Sequence, residues 1–128
     1  MKVFSSSTVS LEFDEIKKVL RQVWTGFSTS AQFREGIDET VKFVKANDVK
    51  YLISDTSGQK PVGPEDTKYA ASVMPSLFGS GIKAMAFIMP KNVITKLALS
   101  SFAKEQGLPA NVMYFDNIPE AEKWLFTF

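Results

Sequence analysis

The chain has 128 residues and contains neither histidine nor cysteine. That double absence removes the usual general base near neutral pH, the usual nitrogen and sulfur metal ligands and the thiol nucleophile. It also removes any disulfide framework. Charge of one sign is missing too: 15 basic residues face 14 acidic ones, for a net charge of +1. So even a balance gives no electrostatic case for nucleic acid or an anionic membrane as partner. No apolar run approaches the ~20 residues that span a bilayer. The opening Met1-Lys2-Val3-Phe4-Ser5-Ser6-Ser7 lacks the apolar core of a signal peptide. A cytoplasmic protein is expected.

The chemistry left to the chain rests on Asp, Glu, Lys, Ser, Thr and Tyr. Lys83 follows Ser80, and Lys104 follows Ser100 and Ser101, without an oxyanion-hole motif beside either pair. Gly58-Gln59-Lys60-Pro61 offers one glycine, and Pro61 removes a backbone donor, so a phosphate-cradling loop is not indicated. No cofactor motif, metal-ligand spacing or catalytic residue is identified, and a non-enzyme is expected.

What is present is a foldable core. Hydrophobic residues make up 45% of the chain and charged residues 23%, ordinary for one globular domain, here residues 1–128. Val9, Leu11 and Phe13 alternate with Ser10 and Glu12 as in a half-buried strand, and Val19 to Trp24 forms its antiparallel partner across a short turn. Thr29 and Gln32 have capping-box spacing ahead of a helix with the apolar stripe Phe33, Ile37, Val41 and Val44. Gly36 inside that helix costs about 1 kcal/mol relative to Ala, which a close helix–sheet approach would explain. Tyr51-Leu52-Ile53 is a short strand stopping at Ser54-Asp55, followed by a loop from Thr56 to Gly63. Pro64 suits the first turn of the next helix, whose stripe is Tyr69, Val73 and Leu77 and whose end Pro75 should loosen. Lys83 to Met89 is the most hydrophobic strand and is expected at the sheet centre. A helix from Val93 to Gln106, a strand from Val112 to Phe115 and a helix capped by Asn117 complete the order ββαβαβαβα. That alternation implies an open, largely parallel α/β sheet of five strands with four helices, its antiparallel edge made by the opening hairpin.

Val23-Trp24-Thr25-Gly26-Phe27 followed by Phe33-Arg34-Glu35-Gly36 resembles the W-x-G…F-R-x-G signature of SpoIIAA-like proteins, relatives of the STAS domain also described as STAS/SEC14-like. The closing Glu120-Ala121-Glu122-Lys123-Trp124-Leu125 is similar to the E-A-x-x-W-L ending of that family, and the element order agrees along nearly the whole chain. The resemblance implies a regulatory fold. In its anti-anti-sigma branch a D-x-S-G loop precedes D-S-S-G, where a partner kinase phosphorylates a serine. Here Asp55-Thr56-Ser57-Gly58 matches the first half, and Gly63-Pro64-Glu65-Asp66 stands in place of the second. A phosphoswitch is therefore not implied. Glu65 and Asp66 either complement the helix dipole or put permanent charge where relatives carry phosphate.

Two regions are candidate functional sites. One is the loop with Asp55, Thr56, Ser57, Gly58, Glu65 and Asp66, at the strand ends where open α/β sheets bind ligands; Asp55 could equally tie down its own loop. The other is apolar: Met74, Leu77 and Phe78 at the proline-broken helix end, with Phe126 and Phe128 near the last helix. Trp24 and Trp124 are expected in the core, although Trp24 could edge a pocket. The expected function is a non-enzymatic regulatory or protein-interaction module, a homodimer or the partner of a regulatory protein. The alternative is binding of a small apolar ligand or lipid between the sheet and a movable helix.

Overall fold

The computed structural model describes residues 1–60, 62–90 and 111–128. Strands β1 (Lys2–Ser5), β2 (Val9–Asp14), β3 (Val19–Gly26), β4 (Tyr51–Gln59), β5 (Ala84–Ile88) and β6 (Val112–Phe115) form one sheet in that spatial order. Helix α1 (Ser30–Ala46) follows β3, α2 (Pro64–Gly79) follows β4, and α3 (Ile118–Leu125) follows β6. Pairing is antiparallel from β1 to β3 and parallel from β3 to β6. The mixed α/β sheet is as expected, with its antiparallel edge supplied by the opening hairpin.

Three details differ from the sequence reading. The sheet has six strands rather than five, because Lys2–Ser5 pairs with β2 across a bulge and the Met1 ammonium donates to the Phe13 carbonyl at 2.9 Å. β4 does not stop at Ser54-Asp55. β3 continues to Gly26 at φ 67°, and after a register shift it offers ladder partners to Gly58 and Gln59. The segment from Asp55 to Gln59 is therefore strand, not loop. β5 has neighbours on both sides but lies next to the edge strand β6, with β3 and β4 at the centre. The helix expected from Val93 to Gln106 lies outside the described residues.

Local chemistry sets the elements. Asp14 accepts from the backbone N–H groups of Ile16 (3.0 Å) and Lys17 (2.9 Å), closing the β2–β3 turn, where Lys18 takes φ 61°. The Lys17 amide holds the Asp14 carboxyl below its usual pKa. Thr29 and Gln32 complete the expected capping box on α1. Asn117 accepts from the Glu120 amide at 2.9 Å to start α3.

The period-two pleat divides the core into two layers. Leu11, Leu20, Leu52 and Met85 face α1 and α2, meeting Val44 and Leu77. On the other face Ile53, Ala84 and Ala86 meet Ala121 and Leu125 of α3. Each fully buried Leu or Ile contributes about 1.5–3 kcal/mol. α1 comes close to the sheet because Gly36 has no side chain: a Cβ there would lie 2.7 Å from Trp24 Cη2 and 3.0 Å from Val9 Cγ1.

Candidate functional site

Trp24 is the pivot. Its ring, 2% exposed, stacks on Phe33 at 5.0 Å and sits under Gly36. Its Nε1 donates to Gln22 Oε1 at 2.8 Å. The same oxygen accepts from Ser54 Oγ at 2.7 Å, and Gln22 Nε2 donates to Thr40 Oγ1 at 2.8 Å. The Thr40 hydroxyl in turn donates to the Gly36 carbonyl at 2.8 Å. A buried polar network survives only when its members satisfy one another. This one locks β3, β4 and α1 together beneath α2.

Above it lies a cavity of about 290 Å³. Trp24, Phe33 and Ile37 bound one side, with Leu52, Ser54 and Thr56 along the sheet. Val73, Met74 and Leu77 of α2 form the roof; Met85, Phe87 and Tyr114 form the far wall. The volume is near the ~300 Å³ lower end of small-molecule sites. Among the described residues no Asp, Glu, Lys or Arg lines it. Burial raises the Tyr114 hydroxyl above its usual pKa, so it is neutral at physiological pH. Among the described residues no cluster of acidic side chains suits a metal ion.

α2 is held over the cavity by a polar clamp to α1. Asp66, buried, accepts from Ser30 Oγ at 2.7 Å and pairs with Arg34 Nε at 3.2 Å. The Arg34 guanidinium lies 4.8 Å from the Tyr69 ring centroid, and the Tyr69 hydroxyl donates to Asp38.

The structure separates the first group of candidates. Thr56 lines the cavity and donates to the Ile88 carbonyl at 2.9 Å. Asp55 belongs to the opposite pleat and accepts from both the backbone and the hydroxyl of Ser57, at 3.0 and 2.6 Å. Gly58 pairs with Thr25. Glu65 is exposed beside Lys68, and Asp66 is turned into the clamp rather than toward solvent. Of the apolar group, Leu77 is core, Met74 lines the cavity and Phe78 packs against the core. Phe126 and Phe128 remain exposed, against Tyr51 and Trp124 respectively. Trp124 is half-buried. Sequence reasoning did not single out Gln22, Thr40 or Ser54 as site residues; their signal is a polar side chain at an inward position of a strand or helix stripe.

A DUF3478-family protein of Shewanella loihica PV-4, described as uncharacterized and as having a SpoIIAA-like fold, superposes with a TM-score of 0.61. The match covers 95% of this chain and 98% of that one at 13% identity. The chain thus has the SpoIIAA-like fold. No family model and no curated protein matches it. Among the described residues no helix is long and apolar enough to cross a membrane.

Proposed function

We propose that this chain is a non-enzymatic binding module that takes a small apolar molecule between its sheet and α2. The observation that carries this reading is the 290 Å³ cavity under α2, which among the described residues has no charged side chain in its lining and is walled by aliphatic and aromatic side chains over a self-satisfied polar floor. Such a lining suits an apolar body and offers little to a reaction, since Tyr114 is its only titratable group among the described residues. α2 forms the roof over that space, held by the Asp66–Arg34 pair at one end and by Leu77 at the other. A second reading, a protein-contact module that pairs as a homodimer, is favoured by the exposed Phe126 and Phe128.

The chain has two tryptophans, so Trp124→Phe leaves Trp24 as the sole indole. Nonyl bromide, a neutral apolar quencher, should then quench Trp24 emission saturably. Ala71→Phe, placed at the exposed rim of the cavity, should abolish saturation while leaving the circular dichroism melt unchanged. Linear quenching, identical in the two proteins, would sink the reading. Native mass spectrometry of the freshly purified chain separates the two readings: a retained small mass supports the first, a doubled polypeptide mass the second.

A further inference from the structure

β3, β4 and β5 are parallel and begin side by side, with Val19 opposite Tyr51 and Tyr51 opposite Ala84. The residue before each of these is a lysine. The Lys18 carbonyl accepts from the Lys50 amide at 3.0 Å, and the Lys50 carbonyl from the Lys83 amide at 2.7 Å. Neighbouring strands lie about 4.8 Å apart, so the three lysines leave the backbone within about 10 Å, close to the Debye length at 0.1 M salt. Helix-dipole complementation does not account for them, because none belongs to a helix. Among the described residues Lys18 and Lys83 have no ion-pair partner, and Lys50 lies 3.9 Å from the exposed Asp48. Residues 91–110 contain a single acid, Glu105, which could answer only one lysine. Of the other carboxylates at this end, Asp14 is bonded to the turn amides, Glu122 is shared by Lys17 (3.4 Å) and Arg21 (3.7 Å), and Glu15 is exposed. Beside the row stand apolar side chains that the fold leaves in solvent. Ile16, at the tip of the β2–β3 turn, is 93% exposed. Lys17 Nζ lies 5.9 Å from the Phe126 ring centroid, and the Tyr51 hydroxyl donates to the Phe128 carbonyl at 2.9 Å, which puts both exposed phenylalanines at the same end.

We propose that this end of the sheet docks on an anionic lipid surface, with Ile16, Phe126 and Phe128 entering the headgroup–acyl boundary and Lys18, Lys50 and Lys83 meeting lipid phosphates. Apolar side chains ringed by lysine are the combination that holds a protein in that boundary. The net charge of +1 averages over the whole chain and does not describe this end. A second copy fits less well, because pairing about a two-fold axis here would set one lysine row against the other. A protein partner would need a pocket fitted to the protruding Ile16, whereas a lipid surface accepts it without one. The proposal is independent of the cavity under α2.

Cosedimentation with vesicles of phosphatidylcholine, alone or with about one-third phosphatidylserine, tests this at about 0.1 M salt. The chain should partition onto the anionic vesicles about tenfold or more above the neutral ones, and about 1 M salt should remove the difference. Lys50→Gln and Lys83→Gln should each weaken binding about fivefold. Ile16→Ser should weaken it about tenfold. All three should keep the native circular dichroism melt, since these side chains lie outside the core. Ala71→Phe, at the cavity rim, should bind vesicles as the native chain does. If Ala71→Phe alone loses binding, lipid is being drawn into the cavity and surface docking is overturned while the cavity reading stands. Equal binding to both vesicle types, or undiminished binding by Ile16→Ser or by the lysine variants, overturns the proposal. Failure to bind the anionic vesicles does so too. Retention on immobilised polyglutamate would then assign the row to an acidic protein, and a doubled mass lost in Ile16→Ser would assign this end to a second copy.

Discussion

Replacing Gln22 by leucine keeps the volume of a 3% exposed side chain and removes the hub of the polar floor. The Trp24 indole N–H, held at 2.8 Å from Gln22 Oε1, then has no acceptor, because the ring is fixed by Phe33 and Gly36. Ser54 loses its acceptor too, although its hydroxyl can rotate toward the cavity. Thr40 keeps the Gly36 carbonyl. One fully orphaned buried donor and one partly compensated one cost about 2–4 kcal/mol, far more than an ordinary polar-to-apolar exchange. The midpoint of a urea transition should fall with its slope unchanged. The sharper test is a cycle with Ser54→Ala. In the native background that change removes one of two donors to Gln22 Oε1 and costs about 1 kcal/mol. In the Gln22→Leu background it removes an orphan and should be neutral or stabilising. The interaction energy is then about 1 kcal/mol, resolvable for contacting residues. A neutral Gln22→Leu, or a Ser54→Ala cost that is the same in both backgrounds, would refute the network.

Gly36→Ala should destabilise by about 1–2 kcal/mol in the same assay, because overpacking against Trp24 at 2.7 Å outweighs the gain of about 1 kcal/mol in helix propensity. A more stable variant would show that the indole yields into the cavity. For pH, the hydrogen bond to Asp38 raises the Tyr69 pKa above its ordinary 10. A raised tyrosine pKa adds stability that is present below 10 and lost as pH climbs through the folded value. Tyr114, raised by burial, has the same sign. Tyr69→Phe should therefore reduce the alkaline loss of urea resistance without abolishing it; parallel curves for the two proteins would mean that the clamp contributes nothing.

Elements governed by local chemistry were legible in the sequence. The Thr29–Gln32 box, the Asn117 cap and the hairpin around Asp14 each depend on residues within three positions of one another. Gly36 was legible as a close approach, and Trp24 as core. The failures are long-range. Asp66 sits in the first turn of α2 whether it serves the helix dipole or Arg34, and only the fold brings residue 34 within 3.2 Å. Leu77 belongs to the core because α2 continues through Pro75 to Gly79. The carbonyl that Pro75 leaves without a donor belongs to Ala71, whose position is exposed, so water can serve it and the helix need not break. The extra strand β1 is held by pairing to β2 and by Val3 and Phe4 on the core, which its four residues do not announce.

The Asp55-Thr56-Ser57-Gly58 run shows how a motif changes meaning once its backbone is known. As a loop, its polar atoms could converge on one ligand. As strand, alternate residues must face opposite sides of the sheet. Leu52, Ser54 and Thr56 turn toward the cavity, whereas Ile53 turns toward α3 and Asp55 follows the same pleat, its carboxylate engaged by Ser57. Thr56 is further committed to the Ile88 carbonyl of the neighbouring strand. A molecule touching the Thr56 side therefore meets a hydroxyl in a wall without charge among the described residues, and one touching the Asp55–Ser57 side meets an internally bonded carboxylate–hydroxyl pair on the strand. The four residues do not act as one cluster, and Asp66, drawn into its pair with Arg34, does not join them. Along the inward row of β3 and β4 the polarity is answered within the chain, because Ser54 donates to Gln22 and Thr56 to the Ile88 carbonyl.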